Sequence, residues 1–354
     1  MKDLVINESS TRTARNYLIN NIKLSDIKIP KIKEFKNIKV ISESGKDVIS
    51  EDVSKENLTY GIDEAFTKEV LENANHKLKI NVNSKTNKNI YIRYMFDENN
   101  QTLVDNIDIE SEEGCRETIN IVLESEGDRE YYHNGIIRVN AKENTDIKVN
   151  IISLININSL NFISIENTLS DFAKVSYTYV EFGGRNSITN YYSNVIGKEA
   201  ISNIDTVFLG KEDQLFDANY LTDLRGVKSE TNMIIEGALS DTSKNHFKGI
   251  IDFKKGCKKA KGNEQESCTL LSDKSKSIAM PVLLCSEEDV EGSHGNSAGK
   301  VGEKELFYIM SRGLTKKEAM RLLVKAKFNK ILEKIHDDEY TCKINSLIDE
   351  RLGE

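Results

Sequence analysis

Residues 154–168 read LININSLNFISIENT, a stretch in which isoleucine and asparagine predominate. The same texture of short β-branched runs, broken by Asn, Asp and Gly, extends from about Leu78 to Leu284. In a parallel solenoid, asparagine side chains stack in ladders from coil to coil while Ile and Val fill the interior. The stretch therefore favours a β-solenoid over other mainly β folds.

A period of two supports this interpretation. Leu78, Ile80 and Val82 alternate with polar residues, and the same alternation recurs at 147–151 and 175–179, as in half-buried strands. From Gly184 onward, glycines recur at short and fairly regular intervals, which is typical of turns between strands. The long helical pattern of a βαβ crossover is missing, which argues against a doubly wound sheet. A sandwich or a barrel stays open, because no exact repeat period is visible.

The N-terminal region has a different pattern. Ala14, Tyr17, Leu18 and Ile22 have helical spacing and predict a short helix before Pro30. We therefore expect three regions. They are a mixed or helical N-terminal region (1–75), a parallel β-helix core (76–300) and a C-terminal helical domain (301–354).

The C-terminal region becomes helical after Gly302. Residues 303–311 predict a short helix, and Thr315 with Glu318 forms a capping box for a longer one. The apolar stripe of the longer helix consists of Met320, Val324, Phe328, Ile331 and Ile335, widened by Ala319, Leu322, Leu323 and Ala326. Such a face must be covered, either by the small helical domain or the end of the β region, or by a partner.

Composition excludes several classes of protein. The chain has 354 residues, with 49 basic and 57 acidic side chains and a net charge of -8, which argues against nucleic-acid binding. No run approaches the roughly 18 to 20 apolar residues of a membrane-spanning helix, and no signal peptide is visible, so a cytoplasmic location is expected. The five cysteines lack CxxC spacing, so neither a disulfide framework nor a structural zinc site is indicated.

The segment 236–324 carries a resemblance to a known family. It includes EGALSDTSKNHFKGIIDFKKGC and CTLLSDKSKSIAMPVLLCSEEDVEGSHGNSAGKVGEKELFYIMSRGLTKKEAMRLLV. Leu-Leu-Ser-Asp, the Ser-His-Gly at 293–295 and the Ser-Arg-Gly at 311–313 stand there in order and in register. This segment resembles the SufB/SufD family of iron-sulfur cluster assembly proteins, most closely its SufD side.

The resemblance implies both an architecture and partners. It implies a right-handed parallel β-helix between a small N-terminal region and a C-terminal helical domain that docks a SufC-type ATPase. The dimer partner is a second copy of the chain or a SufB-type paralogue. A cysteine desulfurase is a possible sulfur donor, and participation of a flavin is left open. Binding to a membrane or to nucleic acid is not expected.

Candidate ligands for an iron-sulfur cluster or for iron follow from soft-ligand chemistry. We interpret the sequence separation of Cys268 and Cys285 as one coil of a β-helix, so that both thiols would lie on one face. His294 of the Ser-His-Gly motif resembles a family position regarded as a metal ligand. As an alternative, each cysteine is simply a small buried side chain.

Three secondary candidates complete the predicted site. Glu288 belongs to an acidic run that can supply hard oxygen ligands, although such a run is more often a solvated edge. Glu266 falls where SufB-type scaffolds carry a cysteine, and Cys257 is a further thiol. SufD sequences often have a cysteine immediately before Ser-His-Gly, whereas this chain has Gly292.

The expected ATPase contact is the segment around residues 306–312. Leu306, Phe307, Tyr308 and Arg312 resemble anchors of a protein interface, although the aromatic pair can equally fix the helix to its own domain. The chain has no GxxxxGK[ST] motif, so nucleotide hydrolysis is assigned to a partner and the chain itself is expected not to be an enzyme.

Three functions are weighed. The first is a non-catalytic scaffold subunit in SUF-type iron-sulfur cluster assembly. The alternatives are an adaptor or structural β-solenoid without metal and, least favoured, a polysaccharide-active β-helix enzyme, which would need converging carboxylates and aromatic platforms for sugars.

Overall fold

The described part of the N-terminal region contains short strands and one helix, joined by irregular segments. The computed structural model describes residues 4–11, 19–25, 27, 30–43 and 48–353. The elements of this region are β1 (Leu4–Ile6), β2 (Ile22–Leu24), β3 (Ile38–Ser42), β4 (Val48–Ser50) and α1 (Glu64–Asn73). The helix predicted around Ala14, Tyr17 and Leu18 lies outside the described residues, and Ile22 belongs to β2 rather than to a helix. Ile22 is instead buried with Leu24 against the solenoid.

Sixteen longer strands follow. The first eight are β5 (His76–Val82), β6 (Lys88–Phe96), β7 (Thr102–Ser111), β8 (Arg116–Ser125), β9 (Tyr132–Ala141), β10 (Asp146–Leu154), β11 (Leu160–Leu169) and β12 (Lys174–Glu181). The second eight are β13 (Asn186–Val195), β14 (Ile201–Gly210), β15 (Leu215–Leu224), β16 (Glu230–Leu239), β17 (Lys244–Phe253), β18 (Lys261–Leu270), β19 (Lys276–Cys285) and β20 (Glu291–Lys300).

The strands alternate between two sheets. Even-numbered strands from β6 to β20 pair in parallel as sheet one, and odd-numbered strands from β5 to β19 pair in parallel as sheet two. β3 and β4 extend the two sheets in antiparallel fashion at the N-terminal end. Two strands make one coil, so the sixteen strands form eight coils of a parallel β-helix. The predicted solenoid is confirmed, and a sandwich or a barrel is wrong. The residue limits of the three predicted regions stay predictions.

The coils differ in length, which explains why no repeat period is visible. One coil leads from Leu160 to its partner Asn186, whereas a longer one leads from Lys244 to its partner Lys276. Not every glycine marks a turn. Gly237 lies within β16, where a Cβ atom would stand 1.9 Å from the ring of Phe208. That glycine provides room for a large neighbour.

Asparagine ladders occur as predicted. The Asn150 amide donates to the Asn120 side-chain oxygen at 2.8 Å, one coil away, and Asn263 donates to Asn232 at 2.7 Å. These bonds satisfy polar side chains that alternate with the apolar ones. The interior is filled by Ile, Val, Phe and Tyr side chains from both sheets.

Three helices follow the last strand in the described part of the chain. They are α2 (Glu303–Met310), α3 (Lys316–Leu332) with its Thr315–Glu318 capping box, and α4 (Asp338–Gly353) after a 3-10 turn at Glu333–Ile335. The predicted stripe of α3 packs on the outer side of sheet one, where Phe328 lies 6.1 Å from the ring of Phe182. Leu322 and Ala326, predicted to widen the stripe, are exposed instead. No described helix is both long enough and apolar enough to span a bilayer.

Candidate functional site

The C-terminal end of the solenoid is open. β20 is the last strand of sheet one, it pairs with β18, and all of its residues are exposed. Sheet two ends one strand earlier, at β19. Solenoid ends need a cap or a partner, because an unpaired strand edge is a template for further pairing.

One ladder of register-paired, inward-facing residues in sheet one changes from apolar to ionisable side chains toward this end. Its successive members, one per coil, are Ile90, Ile119, Val149, Tyr177, Ile204, Met233, Glu264 and His294. The first six are completely or almost completely buried and apolar or aromatic. The seventh is a carboxylic acid and the eighth is the histidine of the Ser-His-Gly motif. The register therefore places His294 directly beside Glu264 in the sheet.

Glu264 is buried without a hydrogen-bond partner. It is 0% exposed, and neither carboxyl oxygen has a partner among the described residues. Its carboxyl group occupies the space opposite Gly249, where a Cβ atom would lie 2.4 Å from Oε2. Burial, and secondarily the charge of Glu266, raises the pKa of Glu264 to about 8. A group in this state gains from any ligand that compensates its charge.

Glu266 and Cys268 share the inner face of β18 with Glu264, because alternate strand residues point the same way. Glu266 Oε1 accepts a hydrogen bond of 2.8 Å from the Asn245 amide, and Oε2 has no described partner. Burial raises the pKa of Glu266 to about 7 and that of Cys268 to about 12. The Cys268 thiol is therefore protonated at neutral pH until a metal or a base displaces its proton.

The remaining candidates meet at the corresponding corner of sheet two. Cys285 is exposed, and its thiol donates to the Glu287 carbonyl oxygen at 2.9 Å. It lines an open cavity of about 650 Å³ together with Glu288. Cys257 is buried in the preceding turn, where desolvation and then the charge of Glu287 raise its pKa to about 11. Cys285 is thus the accessible thiol of the predicted set.

The predicted one-coil relation between Cys268 and Cys285 is wrong. The two thiols lie on consecutive strands, β18 and β19, which belong to different sheets and are only half a coil apart. Cys268 pairs in register with Gly237 and Ala298, and Cys285 pairs with Phe253. Within the described part of the chain, no three His, Cys, Asp or Glu side chains are grouped closely enough to hold a metal ion.

Sequence reasoning missed Glu264. Its signal is the alternation Glu264, Glu266, Cys268 in KGNEQESCTL, where earlier coils place apolar residues. Reading that signal requires the coil register, which varies along the chain.

The predicted ATPase contact lies on α2, a helix with no buried residue. Phe307 is 74% exposed and Tyr308 is 61% exposed, whereas Leu306 is half-buried. The Arg312 guanidinium donates to the Tyr308 hydroxyl at 3.0 Å and stacks 5.3 Å from its ring. The aromatic pair therefore does not anchor α2 to its own domain within this chain.

An uncapped parallel β-helix with a Ser-His-Gly strand at its open end, followed by a helical region, defines a class of protein. Residues 94–327 match the family model for the SUF system FeS cluster assembly SufBD core domain. The match covers more than half of the chain, and the chain belongs to the SufB/SufD family. This membership supports a role in iron-sulfur cluster assembly.

Three relatives illustrate the similarity. The chain is 30% identical to the iron-sulfur cluster assembly protein SufD of Bacillus subtilis over 154 residues, 43% of this chain and 35% of that protein. It is 31% identical to the SufBD family protein PH1385 of Pyrococcus horikoshii over 175 residues, 49% and 38% of the two chains. It is 24% identical to the chloroplastic SufBD family protein ABCI8 of Arabidopsis thaliana over 184 residues, 51% and 32%. The matched segments thus span about a third of each relative's length.

Proposed function

We propose that this chain is a non-catalytic scaffold subunit of a SUF-type assembly complex, on which iron and sulfide are joined into a cluster at the open end of the solenoid. The observation that carries the proposal is the ladder position of Glu264 and His294. A buried carboxyl group without a partner costs stability, and it stands beside the motif histidine at the uncapped end.

In this proposal the cluster is cargo rather than a resident cofactor. Glu264 and Glu266 offer hard oxygen ligands to incoming ferrous iron, and His294 offers a borderline nitrogen ligand. Cys285 offers the accessible thiol for sulfide-bridged iron, because thiolates are the preferred cluster ligands. A second protein surface completes the ligand set, since the described residues of one chain hold no grouped set of three.

The partner at the open end is a second copy of this chain. The exposed edge of β20 supplies unpaired backbone groups, and strand pairing across a two-fold axis satisfies them on both copies. A SufC-type ATPase binds each α2 through Phe307 and Tyr308, whose exposure is characteristic of interface anchors. ATP hydrolysis takes place on that partner.

The complex is tested by anaerobic co-expression with a SufC-type ATPase, followed by light scattering on the purified material. We expect two copies of this chain with two ATPase subunits. Replacing Phe307 and Tyr308 together by serine is expected to lose the ATPase, whereas Phe172→Ser, which removes an exposed aromatic from a solenoid turn, is expected to keep it. Retention of the ATPase by the double variant contradicts the assignment of α2.

Cluster loading is tested separately, with equal amounts of ferrous and ferric iron and with sulfide added under anaerobic conditions. We expect His294→Ala and Cys285→Ala to lose most of the visible cluster absorbance and bound iron. Cys342→Ala removes an exposed thiol of α4 and is expected to load like the unaltered chain. Equal loading by all three variants overturns the proposed site.

A further inference from the structure

A second cavity lies where the C-terminal helices meet the turns that follow β14, β16 and β18. Its volume is about 210 Å³. Four of its lining residues are basic: Lys211 from the β14–β15 turn, Lys317 and Arg321 from α3, and Arg351 from α4. Leu271, Met320 and Leu352 form an apolar wall. None of these residues takes part in the site proposed above.

The lining of the cavity is mainly basic in a chain whose net charge is -8. One carboxylate, Asp241, also lines it. Its Oδ2 accepts hydrogen bonds from the Glu212 backbone N–H at 2.9 Å and from the Ser240 hydroxyl at 3.2 Å, which tie it to the neighbouring turn. Among the lining residues the basic side chains outnumber the acidic one, while Glu212 and Glu350 act on Arg351 from outside the lining. A lining in which basic groups predominate attracts anions.

Arg351 is half-buried. Its Nη1 donates to the carbonyl oxygens of Phe182 at 2.7 Å and Leu209 at 3.1 Å, and its guanidinium lies 5.9 Å from the Phe182 ring. Both hydrogen-bond acceptors are neutral. Burial lowers the pKa of Arg351 to about 10, although the charges of Glu350 and Glu212 act in the opposite direction. A partly desolvated cation whose hydrogen-bond acceptors are neutral gains free energy from an anion placed beside it.

Arg321 is only loosely paired. Its Nε lies 3.6 Å from Asp349 Oδ1, which is longer than a hydrogen bond. Both oxygens of Asp349 accept hydrogen bonds of 2.8 Å from Lys325 instead. A guanidinium in this position matches the geometry of an oxyanion with two adjacent oxygens.

We propose that this cavity binds a small phosphate monoester, with the phosphate on the basic residues and the short organic group on the apolar wall. The volume is below the range of roughly 300 to 1,000 Å³ for drug-sized ligands, so the occupant is small. Arginine forks and lysine ammonium groups together suit a dianionic phosphate better than a single carboxylate. The bound ligand touches both the solenoid turns and the helices, and therefore strengthens their contact.

The test uses the full chain and isothermal titration calorimetry, with glycerol 3-phosphate, inorganic phosphate, malonate and sodium chloride at matched ionic strength. We expect saturable binding of glycerol 3-phosphate. Arg321→Gln and Lys317→Gln are each expected to weaken it at least tenfold. Lys316→Gln removes the same charge at the adjacent position, does not line the cavity, and is expected to bind within twofold of the unaltered chain.

Each outcome decides the proposal. Equal binding of inorganic phosphate supports phosphate recognition and identifies free phosphate as the ligand. No saturable binding of either phosphate compound overturns the proposal, as does binding of malonate with equal affinity. An equal loss in Lys316→Gln also overturns it, because the anion then responds to general charge. No iron, sulfide or ATPase enters this test, so its result is independent of the assembly role.

Discussion

Two buried carboxyl groups on the inner face of sheet one differ in their surroundings. Glu181, in the middle coils, accepts hydrogen bonds on Oε1 from Ser187 at 2.6 Å, Thr189 at 3.0 Å and Tyr179 at 3.1 Å. Glu264, in the last buried position of its ladder, has no described donor. Both have raised pKa values because both are desolvated, to about 7 for Glu181 and about 8 for Glu264.

The difference separates a structural acid from an acid kept for another purpose. Around Glu181 the neighbouring hydroxyls donate hydrogen bonds that replace those from water in the unfolded chain. The carboxyl group is therefore part of a satisfied polar network. Around Glu264 nothing described compensates the lost hydration, and the residue is a net cost to the fold. Violations of local consistency of this kind are expected at functional sites.

The same substitution at the two sites gives the largest expected effect. Glu181→Met leaves three buried hydroxyls without their acceptor and is expected to lower the free energy of unfolding by about 2–4 kcal/mol. Glu264→Met replaces an unpartnered acid with an apolar side chain of similar length, and is expected to leave that free energy unchanged or to raise it by about 1 kcal/mol. Denaturant unfolding measures both.

A matched control keeps the acceptor in place. Glu181→Gln retains a carbonyl oxygen for the three hydroxyls and is expected to lose less than about 1 kcal/mol. If Glu264→Met is as destabilising as Glu181→Met, then Glu264 stabilises the fold as Glu181 does, and the contrast between the two sites is wrong.

The sequence predicted the solenoid because period-two alternation and asparagine ladders are local signals, and both survive in the structure at Asn120 with Asn150 and at Leu78 to Val82. It did not predict coil length, because turns of variable length set the register. The error on Cys268 and Cys285 follows from that, and so does the missed Glu264. His294 was predicted from its motif, whereas its neighbour in the sheet depends on pairing with a strand of the preceding coil.

The pH dependence of stability gives the next largest effect. The folded-state pKa of Glu264 is raised from 4.5 to about 8, so its protonated form favours folding. That stability is fully present below about pH 4.5 and is lost as the pH rises through 8, with a slope of at most about 1.4 kcal/mol per pH unit. Glu264→Gln is expected to remove this contribution to the slope in denaturant unfolding series at increasing pH.

Glu181→Gln is the comparison for this measurement. The pKa of Glu181 is about 7, so its contribution to the slope is already half lost at pH 7, whereas that of Glu264 is half lost only near pH 8. We expect the slope between pH 7 and 8 to change more in Glu264→Gln than in Glu181→Gln. An unchanged slope in both variants contradicts the raised pKa of Glu264.

The smallest expected effect concerns the turns. It shows whether the middle coils and the terminal coils also differ in backbone strain at their corners, or only in the inward-facing residues. At the same corner of the solenoid, Phe172 in the middle coils has φ 56° and Lys259 near the open end has φ 60°. Left-handed backbone costs an L-residue about 1–2 kcal/mol, and asparagine tolerates it better. Lys259→Asn is expected to raise the free energy of unfolding by about 0.5–1 kcal/mol.

Phe172→Asn is expected to gain less, because it also removes the contact between the Lys198 ammonium and the Phe172 ring, 5.5 Å apart, worth about 0.5 kcal/mol. A gain at Lys259 that exceeds the gain at Phe172 by about 0.5 kcal/mol, the value of the lost contact, indicates that the corners of the middle and terminal coils carry equal backbone strain. Denaturant unfolding measures both gains. The difference in stability between the middle and terminal coils then arises in the inner ladder, where Glu264 replaces the apolar residues of earlier coils. A loss of stability at Lys259→Asn alone instead places part of the contrast in the turns, and weakens the assignment of the cost to Glu264.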